Sequence, residues 1–237
     1  MIRFEGVVHE HDDERALDGL DLTVDAGEFV LLLGRNGSGK TTLLRHTNAL
    51  LVPDEGRVYV DDVPTDKDAE RARRRVGMVF QEAGSQIVAE TVKDDIAFGP
   101  ENLGLDRDEI RERVEEAVEA VGATPLLDRS PYELSGGELR RVALAGILAM
   151  RPDVLALDEP LADLDYEGER RVVERVKEAN EDGKTVVVAT HEAEPFVEHA
   201  TRAVVLEEGN VVEDGTPDEL FSRGLEDYGV RTPCSYR

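Results

Sequence analysis

The run Gly34-Arg35-Asn36-Gly37-Ser38-Gly39-Lys40-Thr41 constrains what this chain can fold into more than any other stretch. It fits the pattern G-x4-G-K-[ST] and lies between a continuously apolar segment, 29–33, and a segment of helical character, 40–51. An apolar run without alternation suits a central parallel strand covered on both faces. Glycines let a strand-to-helix loop turn its backbone N–H groups inward around phosphate oxygens. The helix N-terminus adds a partial positive charge. Lys40 supplies a mobile cation for the β- and γ-phosphates, Thr41 an oxygen ligand for Mg2+, and Thr42 a contact to the α-phosphate. Gly34, Asn36, Gly37, Ser38, Gly39, Lys40, Thr41 and Thr42 are therefore the expected nucleotide-binding residues.

A second apolar strand pattern, 154–157, ends in Asp158-Glu159. Alone, such an ending commonly marks only a solvated strand end. Together with a phosphate-binding loop it acquires roles: Asp158 to hold Mg2+ directly or through water, Glu159 to orient and deprotonate an attacking water.

Further strand patterns fall at 2–8, 20–24, 58–60, 76–80, 185–189 and 203–206. Helical periodicity runs from 91 to 150, with Asp108 expected to cap a helix reaching 121 and Ser135 to open another through 150; 166–180 reads as a further helix. The pattern is an α/β core interrupted at about 82–151 by a helical insert, which has no obvious linker and is expected to pack against the core.

Composition narrows the surroundings. No apolar run reaches the ~18 residues of a membrane helix, and the N-terminus enters a strand pattern without a visible signal peptide. The single cysteine, Cys234, excludes a disulfide framework and a thiolate zinc site. These features predict a soluble, cytoplasmic protein. The formal net charge is −25, from 53 acidic against 28 basic residues, only five of them lysine. Such an excess argues against nucleic-acid binding, which needs a basic footprint. It also suggests adaptation to a salt-rich cytoplasm such as that of halophilic archaea, because salt screens the self-repulsion.

Between the glycine loop and the acidic strand end stands Leu134-Ser135-Gly136-Gly137-Glu138, opening a long helical stretch. It resembles the signature LSGGQ of ATP-binding cassette (ABC) ATPases, with Glu in the last position. The resemblance covers nearly the whole chain. It implies a P-loop NTPase fold: a RecA-like core at about 1–81 and 152–221 with an antiparallel β subdomain, a helical subdomain at about 82–151, and a short C-terminal tail, 222–237. It also implies ATP and Mg2+ as ligands. Ser135, Gly136, Gly137 and Glu138 would then face the nucleotide bound by a second subunit. Gln81, after the 76–80 strand, looks like the Q-loop glutamine that touches Mg2+ and the attacking water. Asp165, in Leu161-Ala162-Asp163-Leu164-Asp165, resembles the D-loop aspartate, and His191 the switch histidine. The family usually stacks adenine on an aromatic residue shortly before Ala16-Leu17, where this chain has His9 and His11. By spacing His11 takes the adenine; the His9-x-His11 pair also reads as a metal pair or as plain loop residues.

The stretch from Gln81 through Gln86 to Leu105, with its run D-D-I-A-F-G-P-E-N-L-G-L, resembles the ATPases of energy-coupling factor (ECF) importers, which include cobalt, nickel and biotin systems. Residues 145–152 and 217–221 resemble that branch too. The resemblance implies a homodimer, or a heterodimer with a second ABC ATPase, on the cytoplasmic face of the membrane. Its partners would be a transmembrane coupling subunit and a membrane substrate-binding subunit. Competing readings are an ABC ATPase of DNA repair or translation, an exporter or amino-acid importer ATPase, and a P-loop kinase or GTPase. The last leaves 134–138 without a role.

The charge excess has a direct consequence: the melting temperature should rise from low to molar KCl. Equal stability at both salt levels in a thermal melt would remove the halophilic reading.

Overall fold

The computed structural model describes residues 1–11 and 14–236; the end of the expected tail, Arg237, lies outside the described residues. The chain begins with a long antiparallel pair, β1 (Ile2–His11) and β2 (Glu14–Val24). β3 (Phe29–Leu33) leads through the glycine loop into α1 (Lys40–Thr47). β4 (Glu55–Val60), the short β5 (Val63–Pro64), α2 (Ala69–Arg75) and β6 (Val76–Val79) come after it. Three helices come next: α3 (Val92–Asn102), α4 (Arg107–Ala120) and α5 (Gly136–Ala149). The chain then returns to β7 (Val154–Asp158), α6 (Tyr166–Glu181), β8 (Thr185–Ala189), β9 (Arg202–Glu207), β10 (Asn210–Gly215) and α7 (Pro217–Arg223).

Two sheets result. A 4-stranded antiparallel sheet has the order β2-β1-β4-β5, and a 6-stranded sheet the order β10-β9-β3-β8-β7-β6. In the larger sheet every pairing is parallel except that of β10 with β9. Strands β3, β7 and β8 are buried at every residue, as their unbroken apolar runs require of strands covered on both faces. Alternation then divides their side chains between two cores. Phe29, Leu31, Leu33, Leu155, Leu157, Val186 and Val188 join the helices α3–α6 on one side. Val30, Leu32, Val154, Ala156, Val187 and Ala189 join α1 and the antiparallel sheet on the other. The helical insert is thus continuous with the core: Val92, Ile96, Val114, Val118, Val142 and Ala145 belong to the same apolar cluster as β3.

Where element boundaries differ from expectation, local chemistry explains it. The helix after the glycine loop stops at Thr47 rather than 51, because Leu50 and Leu51 donate back to the Arg45 carbonyl at 3.0 and 3.1 Å and Ala49 turns left-handed at φ 56°. The cap of α4 is Asp106, whose carboxylate accepts from the amides of Asp108 and Glu109 at 3.0 Å each; the expected cap, Asp108, sits in the first turn instead. Ser135 does cap α5, in a reciprocal box with Glu138. The sequence pattern does not anticipate helix α2 or edge strand β10: α2 buries only Ala72, and β10 has no fully buried residue, so neither carries an apolar signal.

The seven α-helices among the described residues differ in one respect that matters for function. Helices α2 to α7 each have a capping side chain, from Asp68, Thr91, Asp106, Ser135, Asp165 and Thr216, and each has acid in its first turn. Helix α1 has neither: its N-cap is Gly39, and its first-turn amides face no side-chain acceptor among the described residues.

The cap assignment can be checked by urea unfolding. Asp106→Ala should cost about 1 kcal/mol, within the range for lost helix caps, whereas Asp108→Ala should lose only the smaller dipole contribution, about 0.5 kcal/mol.

Candidate functional site

The uncapped end of α1 opens on a cleft of about 520 Å3, lined by loop and helix residues Asn36, Gly37, Gly39, Lys40, Thr41, Thr42 and Arg45. Residues His9, His11, Glu14, Arg15, Ala16, Leu51, Gln81, Asp158 and Glu159 complete it. The loop cannot be built otherwise. Gly39 has φ 105°, and a Cβ there would lie 2.5 Å from the Ala16 carbonyl oxygen. Lys40 is buried, and its ammonium donates to the carbonyls of Gly34 (2.8 Å) and Arg35 (3.0 Å), tying the loop into a ring. Burial lowers the Lys40 pKa, opposed by Glu159 and Asp158. Ser38 is also buried, and its hydroxyl has no partner among the described residues. A polyanion on the amides of 37–41, with Lys40 swinging toward it, fits this geometry.

The parallel pairing of β7 with β8, next to β3, carries Asp158 to the same edge as the loop. The Thr41 hydroxyl donates to Asp158 Oδ2 at 2.7 Å. Burial pushes the Asp158 carboxyl above the usual range, with the Thr41 hydrogen bond opposing and the Glu159 charge adding to it. Two hard oxygen donors, one buried and short of compensating positive charge, suit Mg2+, which takes one or two protein ligands and completes its shell with phosphates and water. No cluster of three or more His, Cys, Asp or Glu able to hold a metal occurs among the described residues.

Glu159 comes directly after, in a left-handed conformation with φ 47°. Its amide donates to the Ala189 carbonyl (2.9 Å), and the loop after β8 grips its carboxylate. Thr190 Oγ1 donates to Oε2 at 3.0 Å, the His191 amide to Oε1 at 3.2 Å, and His191 Nδ1 lies 2.8 Å from Oε1. Glutamate and histidine are therefore held as a unit, Glu159 in the cleft lining and His191 outside it, a fit arrangement for activating water.

The other expected site residues lie elsewhere. Ser135, Gly136, Gly137, Glu138 and Asp165 are not among the residues lining the cleft. They form a second surface. Gly137 packs against the Asp163 backbone so closely that a Cβ would sit 2.7 Å from its carbonyl oxygen. The Asp165 carboxylate caps α6 through the Gly168 amide at 2.8 Å. Glu138 accepts from the Ser135 amide and hydroxyl at 2.8 Å each, and its carboxyl is lowered by the amide bond first.

Among the cleft-lining residues, Glu14, Arg15, Arg45 and Leu51 were not expected from the sequence, and behind the lining lie two buried residues that it did not single out either. His46, on α1, is fully buried; its Nδ1 lies 2.7 Å from the Thr42 carbonyl and its ring meets that of His9 edge-on, 4.8 Å between centroids. Arg140, on α5, is 3% exposed and reaches backbone carbonyls beside Gln81 and Glu159. A histidine in a helix and an arginine in a basic pair carry no signal of burial in the sequence.

Comparison with known proteins places this geometry. The family model for the ABC transporter matches residues 17–162. The energy-coupling factor transporter ATP-binding protein EcfA1 of Clostridium novyi (strain NT) is 46% identical over 230 residues, 94% of this chain and 82% of that protein. A solved structure of cbiO1 from Clostridium perfringens, described as part of the ABC transporter complex cbiONQ, has 36% identity and a TM-score of 0.80, covering 93% of this chain and 90% of that one. A dimeric post-hydrolysis state of the ATP-binding cassette MJ0796, bound to ADP and Pi, has 30% identity and a TM-score of 0.83, covering 92% and 99%.

Burial holds His46 down at about 4. The folded state therefore takes up its proton later than the unfolded chain, and stability is lost as pH falls from about 6.5 toward 4. In urea unfolding at pH 7 and pH 4.5, His46→Phe should recover about 2 kcal/mol of that loss relative to the native protein.

Proposed function

The chain belongs to the ABC transporter family of ATP-binding subunits, and on that premise we propose that it works as one half of a nucleotide-sandwiching dimer that drives an ECF-type importer. It is an ATP-binding, ATP-hydrolysing subunit on the cytoplasmic membrane face, and no helix among its described residues is long and apolar enough to cross a membrane. The dimer pairs it with a second copy or a related ATPase. A transmembrane coupling subunit and a membrane substrate-binding subunit complete the importer, whose cargo is a metal ion or vitamin.

The observation that carries the two-subunit reading is the separation of the two surfaces. The cleft holds the phosphate loop, Gln81, Asp158 and Glu159, while residues 135–138 lie outside its lining. Closing a second protomer's Ser135, Gly136 and Gly137 over the γ-phosphate supplies donors from the opposite side, with helix α5 adding its N-terminal dipole. Lys40 and the 37–41 amides hold the phosphates, and His11 lies in the cleft within reach of the adenine end. Thr41 and Asp158 would hold Mg2+, with Gln81 beside them; bound there, the ion neutralises phosphate charge. Glu159 takes the proton of the attacking water, and His191, hydrogen-bonded to it, keeps its carboxylate aimed. Asp165 acts through the D-loop backbone that it fixes to α6. Residues 1–81 and 152–221 form the nucleotide-binding core, and 82–151 the arm that transmits closure to the membrane subunit.

Glu159→Gln should lower turnover by about a hundredfold or more and accumulate an ATP-bound dimer visible by size-exclusion chromatography. Normal hydrolysis by that variant would remove Glu159 from the catalytic role.

A further inference from the structure

One buried charge has no part in the cycle above. Arg140 stands on α5, just over one turn beyond the Ser135 cap, and is 3% exposed. Its guanidinium leaves the helix to reach three backbone carbonyls on two other segments. Nη2 donates to the Gln81 carbonyl at 2.6 Å; Nη1 donates to the Glu159 carbonyl at 2.9 Å and more weakly to that of Phe80 at 3.5 Å. The carboxylate of Asp163 lies 4.0 Å from Nη2. Asp163 is also the residue whose backbone packs on Gly137.

Desolvating a guanidinium is costly, and its bonds here are to neutral carbonyls, with the Asp163 carboxylate at the edge of ion-pair range. Apolar residues would bind α5 to the sheet at less cost, as Val142 and Ala145 already do. What a planar fork achieves and an apolar side chain cannot is to fix two backbone segments relative to each other. Here the two are the segments that carry Gln81 and Glu159.

We propose that Arg140 is a positioning residue: it locks the main chains at Gln81 and Glu159 to the signature helix, so that seating of 135–137 on the partner's nucleotide and alignment of the protomer's own catalytic groups occur together. The link between the two sites rests on the sandwich reading. The positioning role rests on the hydrogen bonds alone.

The test uses Arg140→Met and Arg140→Lys in the full-length protein. ATP affinity should stay within about twofold, because no phosphate-loop residue is touched, while kcat falls about tenfold or more for Met and less for Lys, the cost of small misplacement of reacting groups. Amide exchange should accelerate in peptides spanning 80–83 and 159–162, while the rest of α5 keeps its protection. Unchanged exchange in both peptides overturns the proposal, as does a kcat loss that merely parallels global destabilisation. If the Met variant does not fold, the Lys variant, which keeps the buried charge, decides by the same two readouts. Ser135→Arg separates the two layers: full turnover in that variant removes the sandwich reading and the inter-site link, while the exchange result on Arg140 stands.

Discussion

The open N-terminus of α1 is the feature on which the rest of this molecule depends. In a chain of net charge −25 from an ATP-binding family, this one helix end is free of the acids and caps that close the other six described helices. In the cleft, backbone amides, the buried Lys40 and the cations Arg15 and Arg45 offset the acids Glu14, Asp158 and Glu159. The loop continues from β3, buried along its whole length, and Gly39 lies close against the Ala16 carbonyl.

Sheet order brings Glu159, Thr190 and His191 together beside this anchor. Adjacent parallel strands β7 and β8 end side by side, so the residue after one, Glu159, meets the residues after the other, Thr190 and His191. The left-handed backbone at Glu159 is held by the Ala189 and Arg140 bonds on either side of it. Arg140 thereby joins helix α5 to the main chain at Gln81 and Glu159.

Legibility from sequence tracked the strength of the local signal. The buried strands β3 and β8 matched the reading of the sequence, because a short unbroken apolar run, five residues in β3 and four after Thr185 in β8, suits a strand covered on both faces. Ser135 was legible as a cap because a glutamate three residues on completes the box. Asp106 was not, since Asp108 is an equally good cap by composition and only the backbone decides which carboxylate faces the free amides. The end of α1 was hidden because Ala49 turns left-handed without glycine, and α2 and β10 because edge elements bury almost nothing.

The phosphate loop, the acidic strand end, the signature cap and the order in which they occur are local properties, written in residue type and spacing, and these the sequence determined alone. The tertiary structure decided which of them share a cleft. Strand order brought Asp158 and Glu159 to the loop and left 135–138 on another surface. It also buried His46 and Arg140, whose contacts join segments far apart in the chain. Burial and long-range backbone contacts are consequences of packing, and no pattern of neighbours along the chain encodes them.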